Sequence, residues 1–227
     1  MPSFDRPGLG ASRLALRRRV SGWMIGAATL TASLTAVELD RPLAAIGIGA
    51  AGWLGIRWMR ARARRAIAGR DAERRVARMV RRARPRATLW NLWLSGITGD
   101  VDVLALGPMA AVVEVKRGQG RVRIDPDRTV RVGGRFIHGD PLRRTARTAR
   151  VLSRRFGVDV DAVVCIEGMR QRPRHVDVPA PGDPDRAVVV CAARHLPRVL
   201  RRLERRLDPR AADALAGALR RADRRPP

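Results

Sequence analysis

Two apolar stretches on either side of a short turn, in residues 99–120, limit the fold of this chain more than any other feature. Their sequence is GDVDVLALGPMAAVVEVKRGQG. Gly107 and Pro108 are typical turn residues, so the flanking stretches, residues 101–106 and 111–116, are expected to form antiparallel strands. Both strands are apolar at nearly every position, as in strands that are covered on both faces. The pattern therefore predicts a hairpin that is buried on both sides.

Charged residues at one end of the hairpin are the exception to this apolar pattern. If the hairpin is symmetric about Pro108, Asp102 lies opposite Glu114, and Asp100 lies opposite Lys116. Because side chains alternate along a strand, all four then point to the same face. Buried charges need partners. Either Lys116 and Asp100 form an ion pair that joins the strands, or the acidic residues hold a divalent metal ion.

A divalent-metal site would explain these residue types. Asp102 and Glu114 would supply the hard oxygen ligands that Mg²⁺ or Mn²⁺ prefers. Lys116 would orient or help to deprotonate an attacking water and stabilise the negative charge that develops on a phosphoryl group. Lys116 is also the only lysine among 47 basic residues. Arginine does not imitate a compact ammonium group beside a metal-bound water, so a retained lysine indicates chemistry at this position.

The helix that precedes the hairpin brings a third acidic residue towards this site. Its apolar residues recur at helical spacing and comprise Ala72, Val76, Met79, Val80 and Ala83. Glu73 and Val80 are seven residues apart, so their side chains differ by only about 20° around the helix. Glu73 thus lies on the inward side, where a lone glutamate needs a reason. We expect Glu73 to hold the metal or its water.

Cysteine and histidine positions argue against a zinc site. Cys165 and Cys191 each lie in an apolar run without metal-ligand spacing, so buried reduced thiols are expected rather than a disulfide. The three histidines are scattered along the chain, at His138, His175 and His195. Carboxylates are therefore the predicted metal ligands.

The rest of the domain alternates strands and helices, which predicts an α/β fold. A helix begins with Asp140 as its N-cap and Pro141 in its first turn, and it ends at Gly157. Residues 173–185 are rich in glycine and proline and are expected to form a loop. Further strands are predicted at residues 88–94, 121–124, 130–132, 162–166 and 187–191, and further helices at 195–207 and within 208–227.

Two more apolar stretches precede the domain, at residues 20–37 and 43–56. The first contains no charged residue, and as a helix it would be roughly 27 Å long, close to the ~30 Å hydrocarbon core of a membrane. Tryptophans lie near the ends, as is typical of membrane interfaces: Trp23, Trp53 and Trp58. We expect a transmembrane helical hairpin over residues 20–58, or one span followed by a segment that lies in the interface.

Arginine clusters determine the expected partners and orientation. The net charge of +26 favours a polyanionic partner, which is nucleic acid, anionic lipid headgroups or both. Several arginines lie on the outer flanks of the two apolar stretches, whereas the loop between them carries Glu38, Asp40 and a single arginine. The positive-inside rule therefore places both termini in the cytoplasm, at the inner or plasma membrane. The arginines of the helix that follows Asp140 form either a solvated face or phosphate contacts, foremost Arg143, Arg144 and Arg147.

These segments divide the chain into five parts. A cytoplasmic N-terminal segment at residues 1–19 precedes the transmembrane hairpin at residues 20–58. A basic juxtamembrane linker at residues 59–67 leads to the main domain, which covers residues 68–207. Residues 208–227 form a C-terminal tail.

The order of the charged residues resembles that of the PD-(D/E)xK nuclease superfamily, which has an acidic residue on a first helix, an aspartate on one strand and E-x-K on the next. The string G-D-V-D-V-L-A-L-G-P-x-A-x-V-V-E-V-K-x-G-x-G is similar to that of the nuclease-related domain (NERD) family, over roughly residues 68–170. The resemblance implies a restriction-endonuclease-like core, a mixed sheet flanked by helices, with Glu73, Asp102, Glu114 and Lys116 as catalytic residues. Membrane-spanning segments beside such domains are familiar in the family.

One position departs from the family pattern. The family usually carries N-P-x-x-Q at the start of the next helix, with the glutamine near the metal, whereas this chain has Asp140 and Pro141 followed by Arg144 in the glutamine position. Arg144 could clamp a phosphate instead. The expected function is that of a membrane-anchored, metal-dependent nuclease that hydrolyses phosphodiester bonds, with DNA as the favoured substrate. The alternative is a catalytically silent module on the same fold that binds nucleic acid or tethers to a membrane.

Overall fold

The computed structural model describes residues 20, 24–36, 42–97, 100–178, 187–203 and 207–223. Two compact units divide between Asp71 and Ala72. We call the described residues up to Asp71 the N-terminal unit and those from Ala72 the C-terminal unit.

The N-terminal unit is a helical hairpin. Helix α1 covers residues 24–36, and helix α2 begins at Pro42 and runs to Arg82. The two helices approach closely where glycines leave room: a Cβ atom added at Gly52 would overlap the side chain of Thr29, and one added at Gly26 would lie 3.3 Å from Ile56 Cδ1. Small residues therefore allow antiparallel packing of the two helices.

The transmembrane part of the prediction for residues 20–58 is not supported. In the ranges 24–36 and 42–97, no helix is both long enough and apolar enough to cross a membrane. The apolar part of α2 ends at Ile56, and the helix continues with a strongly basic sequence from Arg57 onwards. Parts of the predicted hairpin, residues 21–23 and 37–41, lie outside the described residues.

The predicted linker at residues 59–67 is also helical, because it is the middle of α2. Alanine and arginine dominate this stretch, and both are strong helix formers. Proline is absent between Pro42 and Pro85, so no residue in the linker breaks the helix. The amphipathic helix predicted at residues 72–83 is confirmed as the last part of α2.

The C-terminal unit is built on a mixed six-stranded sheet. Its strands in chain order are β1 (Ala87–Leu92), β2 (Val101–Leu106), β3 (Ala110–Gly120), β7 (Asp161–Met169), β8 (Arg174–Asp177) and β9 (Ala187–Ala192). A separate three-stranded sheet consists of β4 (Val122–Ile124), β5 (Val130–Val132) and β6 (Arg135–Phe136). The large sheet has the order β1-β2-β3-β7-β9-β8. The central pairs β3–β7 and β7–β9 are parallel, and the remaining neighbours are antiparallel.

Helices cover both faces of the large sheet, which confirms the predicted α/β class. On one face, Val76 and Val80 of α2 pack in the same core as Val103 and Val113. The opposite face holds a second core, in which Leu104 and Val112 pack with residues of α3 (Pro141–Phe156) and α5 (Pro209–Ala222). Short helix α4 (Leu196–Arg202) packs on the α2 side. Between Val103 and Val113, even-numbered residues of the hairpin thus face α3 and odd-numbered residues face α2, whereas Val101, at the start of β2, packs in the α3-side core.

Helix α3 begins and ends as the sequence predicted. The Asp140 carboxylate accepts a hydrogen bond from the backbone N–H of Arg143, Pro141 occupies the first turn, and Gly157 ends the helix with a φ of 64°. Glycine adopts this left-handed conformation without steric cost. These caps determine where α3 begins and ends, so that Arg143 and Arg144 lie in its first turn.

Three elements differ from the prediction. Strand β8 lies within the predicted loop at residues 173–185, and among its four residues only Val176 is buried, so it lacked an apolar pattern. The two-residue strand β6 was too short to predict. The helix predicted within residues 208–227 is present as α5, but instead of lying in a tail outside the domain it contributes Ala212, Leu215, Ala216 and Leu219 to the core.

The two cysteines are buried and free, as predicted. Cys165 and Cys191 face each other as register partners on the parallel strands β7 and β9. The hydrogen bond with Cys191, together with burial, raises the pKa of the Cys165 thiol. The pair therefore packs as two small apolar side chains.

Candidate active site

The β2–β3 hairpin has the predicted register. Val103 pairs with Val113 and Leu104 with Val112, as symmetry about Pro108 requires. Beyond these pairs a side chain forms the hydrogen bond between the strands: Asp102 Oδ2 accepts a hydrogen bond of 2.7 Å from the backbone N–H of Val115. Asp102 is thereby fixed against β3.

Glu114 is the centre of the site. It is only 4% exposed, and it is the one buried carboxylate residue in the part of the chain that the structure describes. Its Oε1 atom lies 2.6 Å from Lys116 Nζ and also accepts a hydrogen bond from Nη2 of Arg144 on α3. A buried carboxylate requires compensation of its charge. Here two cations from different elements converge on one oxygen atom.

The pKa of Asp102 is raised by its burial and by negative charge that the nearby cation does not fully compensate. Burial of its carboxyl, together with the nearby charge of Glu114, raises the pKa of Asp102 to about 8. The hydrogen bond from Val115 and the charge of Lys116 lower this pKa but do not compensate. The charge of Asp100 also raises it, so Asp100 contributes to the same electrostatic environment. From the sequence, Asp100 was predicted only to pair with Lys116.

The sequence allowed a cross-strand ion pair between Lys116 and Asp100 as the alternative to a metal site. In the structure, Lys116 instead forms an ion pair with Glu114 on the same strand. Residues two apart on a strand share a face, so this contact needs no cross-strand partner.

A cavity of about 250 Å³ adjoins these charges. It is lined by three arginines of α3, namely Arg143, Arg144 and Arg147, together with Ile97 and Asp140. Asp140 pairs with Arg143 at 3.4 Å. Arg144 connects the cavity to the site, because it lines the cavity and also contacts Glu114. The three arginines nominated by sequence as phosphate contacts therefore lie around one space.

Glu73 lies on α2, which packs on the face of the sheet opposite to α3. Two residues further along α2, Arg75 Nη1 contacts Glu167 Oε1 at 2.6 Å. Glu167 is the register partner of Arg117, the neighbour of Lys116. This part of α2 is thus at the same end of the sheet as Lys116 but on the other side. The role of Glu73 as a metal ligand stays a prediction.

A metal ion would have two carboxylates at this site. Among the residues that the structure describes, no cluster of three or more histidine, cysteine, aspartate or glutamate side chains could hold a metal. Asp102 and Glu114 fit the binding mode of Mg²⁺, which commonly takes one or two carboxylates, several waters and substrate phosphate oxygens. A cation there would offset the repulsion that raises the pKa of Asp102.

Comparison with protein families agrees with this geometry. Residues 68–168 match the model of the nuclease-related domain (NERD) family, consistent with a nuclease-related domain of the PD-(D/E)xK superfamily. The match includes the end of α2, the β2–β3 hairpin, the small sheet and α3. Domains of this type generally use divalent metals, and the match suggests nucleic-acid binding. Among curated proteins and solved structures, none matches this chain.

The pKa of Asp102 predicts how the stability of the metal-free protein depends on pH. The folded-state value of about 8 lies above the ordinary aspartate pKa of about 3.9 expected in the unfolded chain. Between these values the folded state binds more protons, so the contribution of Asp102 to the free energy of unfolding decreases as pH rises from about 4 to about 8.

Denaturant unfolding in a chelator, at several pH values in this range, measures the effect. We expect the stability of the wild type relative to Asp102→Asn to fall steadily towards alkaline pH, because asparagine does not titrate. Parallel pH profiles for the two proteins would contradict the raised pKa.

Proposed function

Starting from the nuclease-related domain match, we propose that this chain is a divalent-metal-dependent nuclease that hydrolyses phosphodiester bonds of nucleic acid, with DNA as the favoured substrate. The observation that carries the proposal is the environment of Glu114. Its carboxylate lies between Arg144 and the only lysine of the chain, beside Asp102 and an arginine-lined cavity. Two carboxylates and a lysine on one face are the groups that metal-assisted hydrolysis requires.

Mg²⁺ or Mn²⁺ would be held by Asp102 and Glu114, with Glu73, on the α2 side of the sheet, as a predicted contact of its water. When bound, the ion would supply positive charge that polarises a phosphoryl oxygen. Protein side chains account for the remaining requirements, which are positioning of the nucleophile and stabilisation of charge.

Lys116 has the position needed for both of these tasks. Its ammonium group is partly exposed, at 25% of the side-chain surface, and Glu114 holds it at 2.6 Å. The three N–H donors would orient an attacking water and donate to the phosphoryl oxygen on which charge develops. An arginine would carry the same charge, but its planar fork does not fit a single compact position.

Arginines of α3 would position the substrate. Arg143 and Arg147 are exposed at the cavity, and Arg144 reaches inward to Glu114. Guanidinium groups bind phosphate oxygens in a two-pronged geometry, so the cavity suits a backbone phosphate next to the scissile one. Arg144 would exchange its contact with Glu114 for a phosphate when metal and substrate bind.

The contact between Arg144 and Glu114 also favours a second candidate function. An arginine that neutralises a metal ligand lowers the affinity for the metal, as in a catalytically silent module that binds nucleic acid. The two functions differ in one measurable property, which is cleavage.

Membrane attachment is a separate proposal for the N-terminal unit, with the C-terminal unit on the cytoplasmic side. Its support is the surface of α1 and of the first part of α2, where large apolar side chains are exposed: Met24, Leu30, Leu43, Ile46, Trp53 and Trp58. An exposed apolar surface of this extent is typical of interaction sites. Arg57 and Arg62, which stack on Trp53 and Trp58, would contact anionic headgroups.

Cleavage assays on the full-length protein test the nuclease proposal. We expect Mg²⁺- or Mn²⁺-dependent cleavage of DNA, and we expect Lys116→Ala and Glu114→Gln each to reduce the rate by about a hundredfold or more. The matched control is Arg117→Ala, which removes the next basic residue on the opposite face of β3 and should cleave normally. Salt-sensitive DNA binding without cleavage in any divalent ion would favour the silent module instead.

Replacement of Arg144 tests how it affects the metal. We expect Arg144→Gln to bind Mn²⁺ about fivefold more tightly in calorimetric titrations, the factor that corresponds to removal of an ion pair worth ~1 kcal/mol. Arg143→Gln is the matched control, because Arg143 pairs with Asp140 rather than Glu114. If Arg144→Gln binds Mn²⁺ with unchanged or lower affinity, Arg144 does not compete with the metal for Glu114.

Vesicle flotation tests the membrane proposal. The full-length protein should float with vesicles of phosphatidylcholine and phosphatidylglycerol, and the double variant Leu43→Glu, Ile46→Glu should not, because two charges replace exposed apolar side chains. Trp93→Glu, at an exposed apolar residue of the C-terminal unit, is the control that should still float. Equal flotation of all three proteins would contradict attachment through the N-terminal unit.

A further inference from the structure

The small sheet of β4, β5 and β6, with the residues that connect its strands, forms a basic wing over residues 121–136. Its inner face is apolar and buried, with Val122, Val130 and Val132 in the core of the C-terminal unit. The wing is attached closely to the main sheet, because a Cβ atom added at Gly118 of β3 would lie 2.8 Å from Val132. The wing is thus a fixed surface rather than a loose loop.

One row of side chains crosses the outer face of the wing. Arg123 is the register partner of Arg131, and Arg131 is the register partner of Phe136. The Arg131 guanidinium lies over the Phe136 ring, 3.8 Å from its centroid. Phe136 is nevertheless 53% exposed. In the described part of the C-terminal unit, the only other exposed large apolar residue is Trp93, at 41%.

Charge on the wing favours an anionic partner. Residues 121–136 contain five arginines and two aspartates. Asp125 contacts both Arg123, at 3.3 Å, and Arg131, at 2.7 Å, so it orients these two side chains. The Arg123 side chain remains 83% exposed. An exposed aromatic ring surrounded by oriented arginines combines a stacking surface with phosphate-binding groups.

Along the chain, the wing connects the two elements that carry the cations of the site. Strand β3 carries Lys116 and leads directly into β4, and β6 leads within a few residues to α3, which carries Arg144. From Lys116 to Arg121 the chain extends at most about 17 Å. A nucleic-acid strand at the carboxylates would therefore reach the wing within a few nucleotides.

We propose that the outer face of the wing binds an unpaired stretch of nucleic acid, with one base stacked on Phe136 and the adjacent phosphates on Arg123 and neighbouring arginines. The inference rests on nucleic acid as the partner in the proposed function, and it adds that the strand is single at the wing. A base inside a duplex has both of its faces covered, whereas an unpaired base offers one to an aromatic ring.

Fluorescence anisotropy with the full-length protein, in a chelator so that cleavage does not occur, tests the proposal. The probes are oligothymidylate and an abasic strand of the same length, which carries the same phosphates without bases. We expect the wild type to bind oligothymidylate about tenfold more tightly than the abasic strand, a factor consistent with one stacked base.

Two substitutions of Phe136 should abolish this preference. Phe136→Ala removes the ring, and Phe136→Leu retains apolar volume without an aromatic face, so that a folded variant is available in either case. Both should bind the two strands equally, with an unchanged dependence on salt. Trp93→Ala, at an exposed aromatic residue outside the wing, should keep the tenfold preference. Arg123→Ala should weaken binding of both strands and lower the salt dependence by about one released ion.

The outcomes separate this proposal from the proposed function. Equal binding of both strands by the wild type, or an unchanged preference in the Phe136 variants, would overturn the stacking site and leave the nuclease proposal standing. A base preference that depends on Phe136 would support the wing even if cleavage is never observed. If the wild type binds neither strand, the wing proposal is wrong, and cleavage in Mg²⁺ or Mn²⁺ still decides the nuclease proposal. If Phe136→Ala instead reduces only binding to phosphatidylglycerol vesicles, the face binds lipid and the stacking proposal is wrong.

Discussion

Burial of the Glu114 carboxylate is the constraint on which the arrangement of the site depends. Moving an ion out of water costs several kcal/mol even after the protein relaxes, and removal of one partner from a buried pair typically costs about 3–5 kcal/mol. Lys116 and Arg144 together offset this cost at one oxygen atom. Since Arg144 belongs to α3 and Glu114 to β3, the ion pair also joins the helix layer to the sheet. The same contact therefore contributes to the fold and prepares the site.

The alternation of the β2–β3 hairpin separates packing from chemistry. Between Val103 and Val113, odd-numbered residues pack against the α2 side and even-numbered residues face α3. Near Pro108 the even positions are apolar, as at Leu104 and Val112, and further from the turn they become Asp102 and Glu114. A single pair of strands thus begins as core and ends as a polar site, and the apolar part holds the polar part in place.

Without a metal, the site balances its own charge. Glu114 is paired with two cations, and the raised pKa of Asp102 favours the protonated form of its carboxyl. Binding of a divalent cation would require Asp102 to release its proton and Arg144 to share or leave Glu114. The family pattern has an uncharged glutamine where this chain has Arg144. Under the proposed function, Arg144 would make metal binding a replacement of one cation by another, and its released guanidinium would be available to a phosphate at the cavity.

Local patterns in the sequence determined the hairpin register, the caps of α3, the inward side of the last part of α2 and the shared face of Glu114 and Lys116, because strand alternation, helix phase and turn chemistry depend on neighbouring residues alone. Tertiary structure decided what these residues meet. The contact of Arg144 with Glu114, the packing of α5 into the core, the position of Glu73 on the opposite face from α3 and the stacking of Arg131 on Phe136 join residues whose relation depends on how whole layers pack. The apolar stretches near the N-terminus show the same division, because their composition predicted a helical hairpin. The full length of α2 was not predicted. This helix continues through a basic sequence to Arg82, as helix propensity and the absence of a breaking residue allow. Periodicity fixes the direction in which a side chain points, and only packing over long distances in the chain fixes which group lies there.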